Sequence, residues 1–276
     1  MAENVEDVEK KEPTLSHLQE LLHRLKIILI SIVIVSVFVM LIPSSFFPFF
    51  DETDLNLTQN AAFSDNNYSG YLYNTFTSSL LKKIEKDILP EGVSLIAGSW
   101  TSLVEVYFLL SITIAIVLCF PLIIYEIYEF LKPALYRKER KFFIKFFISS
   151  IGLFIFGIVI AYYAILPITF KILMFFVGML GVLPLISIDN FVFIVMAMLL
   201  GTGFVFVSPV FLFFLIKAKI LNPDTIASRR KYIYAGLLIV IMVLTPDPTL
   251  ASDIILFVPL VVLFEIALYL GKRWAN

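Results

Sequence analysis

The sequence predicts an all-α integral membrane protein with six transmembrane helices. Three observations carry that prediction. Hydrophobic residues make up 60% of the 276 positions and charged residues 16%, against roughly 45–50% and about 25% in average soluble domains. The apolar residues fall in long runs free of Asp, Glu, Lys and Arg, several reaching the ~20 residues that a spanning helix needs. The basic residues between the runs alternate from rich to poor, as cytoplasmic and external loops do. Mean hydropathy is +0.95, which excludes an ordinary soluble domain and a disordered chain alike. With 21 Lys+Arg against 22 Asp+Glu, the net charge is −1, so no charge argument favours a nucleic-acid partner. Cys119 is the single cysteine and there are two histidines; an intrachain disulfide is excluded, and no metal or cofactor is expected.

The elements follow in order. Residues 1–12 are of mixed charge and precede no short apolar core, so no secretory signal is expected; residues 1–13 read as a cytoplasmic tail, and 14–276 as one membrane domain. Leu15, Leu18, Leu22 and Leu25 recur at helical spacing, with His17, Glu20 and Arg24 on the other side. This predicts a short amphipathic helix at the cytoplasmic surface, started by a Ser16/Gln19 capping box. The first span, from Ile27, ends near Pro43. An external loop occupies about 43–100. It holds two glycosylation sequons, at Asn56 and Asn67, and a short amphipathic helix over 80–89 stopped by Pro90. The second span covers 106–125 and the third 146–170, closing at Leu166-Pro167. Residues 171–188 contain Gly178, Gly181 and Pro184 and read as short helix and turn lying on the outer face. The fourth span covers 190–216. The fifth, 232–246, has only 15 uncharged residues, about 22 Å of helix against a hydrocarbon core of about 30 Å. The sixth covers 254–271. Fifth and sixth are thus expected to be short.

Sidedness follows from charge. With both termini cytoplasmic, 17 of the 21 basic residues lie inside and 4 outside. A seventh span over 172–188 would put the five basic residues of 217–231 outside, so it is rejected.

Some charges are not explained by spanning. Glu20 stands four residues before Arg24, as an ordinary helix-surface pair would. Glu139 is one carboxylate among Arg137, Lys138, Arg140 and Lys141, following Pro133, where the second helix must end. Asp247, between Pro246 and Pro248, turns a shallow hairpin. Glu265 lies in an apolar run, at a cost of roughly 2.5–3.5 kcal/mol unless it faces a polar cavity or pairs with another helix. Glu126 and Glu129, near the inner end of the second span, are placed to snorkel to the interface. No glycine-rich phosphate loop and no nucleophile–base pair is visible, so no enzymatic activity is expected.

Together these segments resemble TatC, the polytopic receptor subunit of the twin-arginine protein translocase. His17-Leu18-Gln19-Glu20-Leu21 is similar to the family's N-terminal His-Leu-x-Glu-Leu. Phe130-Leu131-Lys132-Pro133-Ala134-Leu135-Tyr136, with Glu139-Arg140-Lys141, is similar to its first cytoplasmic loop. Leu166-Pro167, Pro209, Arg230-Lys231-Tyr232, Pro246-Asp247, Pro259 and Phe264-Glu265 fall in the family's order. The chain departs from the pattern at Leu22, where an arginine is usual, and at Val207, where many members carry a glutamate and where Ser208 is the nearest polar group.

The resemblance implies recognition of twin-arginine signal peptides on folded precursors and their export across the cell membrane, driven by the proton-motive force. It implies that Glu20 and Glu139 receive the arginine pair, that Phe130, Leu135, Tyr136 and Arg140 flank the peptide, and that Glu265, Asp247 and Pro246 serve in the membrane-embedded part. Expected partners are single-span subunits of the TatA/TatB type in an oligomeric complex, and membrane lipid. A small-molecule or ion transporter is the alternative, and would need a midplane site with several intramembrane charges. A structural membrane scaffold is the third.

Overall fold

A computed structural model describes residues 3–43, 75–90, 92–131, 143–181, 185–217, 221–245 and 250–275. In chain order the elements are α1 (Glu3–Leu41), α2 (Phe76–Ile88), β1 (Ser94–Ile96), α3 (Ser102–Leu131), α4 (Phe143–Ile160), a π-helical turn (Ala161–Ile165), α5 (Leu166–Leu180), β2 (Leu185–Ser187), α6 (Ile188–Lys217), α7 (Pro223–Ser228), α8 (Arg230–Leu244) and α9 (Leu250–Ala275). Five stretches are long and apolar enough to cross a membrane: Leu18–Leu41, Ser102–Phe130, Lys145–Leu180, Ile188–Lys217 and Ser252–Arg273. The expected fifth span corresponds to α8, a helix of 15 residues.

Three expectations are corrected. Ser16 lies inside α1, which runs unbroken through the first span, so no helix begins there; the polar turns simply continue the helix out of the apolar layer. Residues 171–180 do not form a separate surface segment, because α4, the π turn and α5 follow one another without a gap and end only at Gly181. Gly181 takes a left-handed φ of 65°, the usual helix stop. Leu166-Pro167 therefore does not close the third span. Pro167 supplies no N–H and its ring crowds the preceding turn; the Leu166 N–H reaches back to the Ala161 carbonyl, the wider i→i+5 spacing that accommodates such a break. Finally, α9 has 26 residues, longer than the charge-free run of 254–271, because Asp253 at one end and Lys272 at the other are held inside the helix. Its apolar stretch, Ser252–Arg273, has 22 residues and is still the shortest of the five, and α8 is shorter again with 15.

The bundle is organised around α6, which packs against α3, α4, α8 and α9. Its Phe191, Val195, Met198 and Phe206 are buried with Leu110 of α3, Leu166 of α5, Ile241 of α8 and Leu260 of α9. Amphipathic α2 caps this core through Ile84 and Ile88, as its spacing predicts; Thr75 caps it, accepting from the Ser78 N–H. The Tyr162 hydroxyl donates to Asp87 Oδ2 at 2.6 Å, tying α2 to the π turn. A second cluster joins α3, α4 and α6, where Phe120 and Phe154 stack with ring centroids 3.7 Å apart. α4 and α6 cross closely because both carry glycine: a Cβ on Gly157 would stand 3.0 Å from the Gly203 Cα, the small-residue contact typical of membrane helices. α1 packs chiefly on α3 and leaves Val33, Ile34 and Phe38 more than half exposed, an apolar face suited to lipid.

At one end of the bundle β1 and β2 form a two-stranded parallel ladder, Ser94 opposite Leu185 through Ile96 opposite Ser187. No sequence signal predicted it. Beside it, Asp189 Oδ1 accepts from the hydroxyls of Ser187 at 2.7 Å and Ser102 at 3.3 Å, joining the first turns of α3 and α6. Towards the opposite end, Lys145 lies near the start of α4, Lys217 at the end of α6, Arg230 at the start of α8 and Lys272 near the end of α9, while Arg24, within α1, pairs with Glu126 near the end of α3.

Candidate functional site

The basic end of the bundle carries the candidate site. Glu20 and Arg24 are one turn apart on α1, so their side chains share a face. Glu126 is near the end of α3, the helix against which α1 packs. Arg24 joins all three. Its Nη2 donates to Glu20 Oε1 at 2.7 Å and its Nε to the same oxygen at 3.2 Å, while Nη1 donates to Glu126 Oε2 at 3.0 Å. The planar fork of guanidinium permits this division between two carboxylates. The environments of the two acids differ. The Glu126 side chain is 9% exposed and that of Glu20 34%, so the first is a fixed internal partner and the second faces the water side. Two carboxylates against one guanidinium leave the triad with net charge −1.

Glu126 was expected to snorkel to the interface. It turns inward instead, because Arg24 supplies a counter-charge and hydrogen bond that make burial tolerable. The two residues are 102 positions apart, and the excess of carboxylates at the end of an apolar run was the one available signal. Phe130, one turn beyond Glu126, is half-buried. The structure thus brings Glu20 and Phe130, from the two separate motifs, onto adjacent helices bridged by Arg24. Leu135, Tyr136, Glu139 and Arg140 lie outside the described residues, as do Pro246 and Asp247.

Glu265 belongs to a different cluster. It accepts a hydrogen bond from the Tyr234 hydroxyl and pairs with Arg230 Nη1 at 3.3 Å, both on α8. Pairing between neighbouring helices therefore accounts for its place in an apolar run. Lys272 pairs with Asp224 at 2.9 Å, holding α7 against α9. Val207 is buried and the Ser208 hydroxyl donates to the Val205 carbonyl at 2.7 Å, so the fourth span puts its polar group on its own backbone. At the far end of the α8–α9 hairpin the Thr245 hydroxyl donates to Asp253 Oδ1 at 2.6 Å, and Asp253 is 3% exposed. That buried pair was not anticipated; an Asp in the first turn of a helix was its signal. Among the described residues no group of three His, Cys, Asp or Glu could hold a metal ion.

The family model described as Sec-independent protein translocase protein (TatC) matches residues 16–259. A TatC protein of Aquifex aeolicus is 30% identical over 207 residues, covering 74% of this chain and 82% of the relative. One of Escherichia coli (strain CFT073) is 28% identical over 269 residues, covering 98% and 92%. A solved structure described as the crystal structure of the twin-arginine translocase receptor TatC superposes with a TM-score of 0.70 at 26% identity, covering 94% of this chain and all of that one.

Proposed function

The chain belongs to the TatC family of Sec-independent protein translocase components, and on that premise we propose that its basic end receives the arginine pair of twin-arginine signal peptides. The observation that carries the reading is the Glu20–Arg24–Glu126 triad. Glu20 already binds a guanidinium, so its geometry suits an arginine. A ligand arginine entering from the water side displaces or shares Arg24, and Glu126 keeps hold of Arg24 while it does so. Without Glu126 the released guanidinium would compete directly for Glu20. Glu139, eight residues after the end of α3 at Leu131, takes the second arginine, with Leu135, Tyr136 and Arg140 flanking the peptide. The basic neighbours of Glu139 in sequence repel an arginine at long range, so recognition rests on short-range bidentate geometry. The Glu265–Arg230–Tyr234 cluster and the Pro246-Asp247 hairpin serve the membrane-embedded part. The protein then acts as a non-enzymatic receptor in proton-motive-force-driven export of folded proteins, with TatA/TatB-type single-span subunits in an oligomeric complex.

Peptide titration tests this. Glu139→Gln weakens a twin-arginine peptide by about 1.5 kcal/mol, roughly tenfold. It weakens a twin-lysine peptide much less, because an ammonium offers no fork to lose. Glu20→Gln behaves similarly but to a smaller extent, since Arg24 already neutralises part of Glu20. Equal losses for the two peptides, or none, would refute the carboxylate-fork mechanism.

Sidedness is checked separately. Cysteines introduced as Lys138→Cys and Asp224→Cys stay unlabelled when sealed cells meet a membrane-impermeant thiol reagent, and react once the cells are opened. Ready labelling of either from outside overturns the orientation.

A further inference from the structure

A groove outside the triad runs between α4, α6 and α9, with a volume of about 570 Å³, within the roughly 300–1,000 Å³ of small-molecule sites. Its walls are one face of each helix: Lys145, Ser149 and Gly152 recur at helical spacing on α4, as do Leu263, Ile266 and Leu270 on α9. Charge is confined to one end. Lys145 stands near the start of α4 and Lys217 closes α6, and among the described residues the lining has no acidic side chain. Ser149, one turn deeper than Lys145, adds a hydroxyl. Beyond it the lining is apolar. The space has an identifiable origin. Gly152 has no side chain, and a Cβ placed there would meet nothing within 4 Å, while Pro209 interrupts the facing wall inside α6.

We propose that this groove holds one anionic phospholipid, its phosphate at Lys145, Ser149 and Lys217 and an acyl chain along Gly152, Pro209 and Ile266. The chemistry matches at both ends. Two ammonium groups beside a hydroxyl suit a phosphate monoanion, and an ammonium with three donors serves a protein neighbour and a phosphate oxygen together. Basic pockets between membrane helices on the leaflet side bind lipid headgroups in this way. Two lysines at the headgroup end favour a lipid of net negative charge over a zwitterionic one, whose own ammonium they repel. An acyl chain fills an apolar trench in the hydrocarbon layer without desolvation cost. No residue of the Glu20–Arg24–Glu126 triad lines it.

Native mass spectrometry of the detergent-purified full-length protein tests the proposal, with phosphatidylglycerol and phosphatidylcholine of identical chains as probes. One phosphatidylglycerol is retained at concentrations about tenfold lower than phosphatidylcholine, because each lysine near the headgroup contributes a several-fold preference. The double variant Lys145→Gln/Lys217→Gln abolishes the preference and leaves phosphatidylcholine retention unchanged. Gly152→Leu fills the trench and reduces retention of both lipids. Millimolar inorganic phosphate does not displace the lipid, since it has no chain to occupy the trench. Equal retention of the two lipids by the parent protein overturns the proposal, as does a preference that survives the double variant. So do displacement by phosphate, undiminished binding to Gly152→Leu, and copurification of a single-span protein on the groove in place of lipid. The double variant changes only groove-end polar groups, so it gives an answer even if Gly152→Leu fails to fold.

Discussion

Arg24→Met lowers the stability of the folded protein by about 3 kcal/mol, the low end of the cost of orphaning one partner of a buried ion pair. The low end applies because the Arg24 side chain is 20% exposed and solvent screens part of its interaction. Most of the loss comes from Glu126, which is 9% exposed and keeps a charge with no counter-ion. Glu20 is open enough to return to water at little cost. Arg24→Met combined with Glu126→Leu should therefore recover most of the stability, because no charge is left buried. Thermal unfolding in detergent for the two single variants and the double gives the coupling directly. A double variant no more stable than Arg24→Met shows that Glu126 is not the stranded charge.

Gly157→Leu has a comparable effect, about 3 kcal/mol, by a different route. The first side-chain atom would already stand 3.0 Å from the Gly203 Cα, the Phe206 Cβ and the Thr202 carbonyl oxygen. Two of these are main-chain atoms and cannot rotate aside, so α4 and α6 must separate, opening the edge-on Phe154–Phe204 contact between them. Overpacking of a well-filled interface costs up to about 3 kcal/mol. Gly178→Leu, further along the same continuous helix, is the control: a Cβ there meets nothing within 4 Å and the variant unfolds at the parent temperature. If both glycine variants melt together, the close crossing of α4 and α6 is not a determinant of stability.

These two sites mark where sequence reading succeeds and where it stops. Helix positions were legible because a run free of charge reports directly on the cost of placing charge in lipid. Helix ends were not, since a helix needs hydrogen bonds rather than apolar residues to continue into water. That is why α1 starts well before Ser16, α5 passes Lys171 and α9 passes Asp253. The two motifs that carry the family resemblance named Glu20 and Phe130 from separate stretches, and the structure puts them on the neighbouring helices α1 and α3. The motifs were silent on Glu126, whose burial depends on a counter-charge supplied by another helix. The three-residue strands were illegible for a related reason. Ser94–Ile96 and Leu185–Ser187 show no two-residue alternation long enough to register, and each becomes a strand only when the other lies beside it.

That mutual dependence sets an order of events. Between the paired strands the chain runs through residues 97–184, passing along α3, back along α4 and α5, and so crossing the apolar layer twice. The three rungs close this long loop for few hydrogen bonds, and closure entropy falls on them before any reward. They can form only after both intervening helices are inserted and seated, so the ladder belongs to the final steps of assembly rather than to its nucleus. Slowed hydrogen exchange at the ladder amides then dates the moment when the second and third spans are complete in the membrane, and an inserted but unseated intermediate exchanges there at the rate of an open chain.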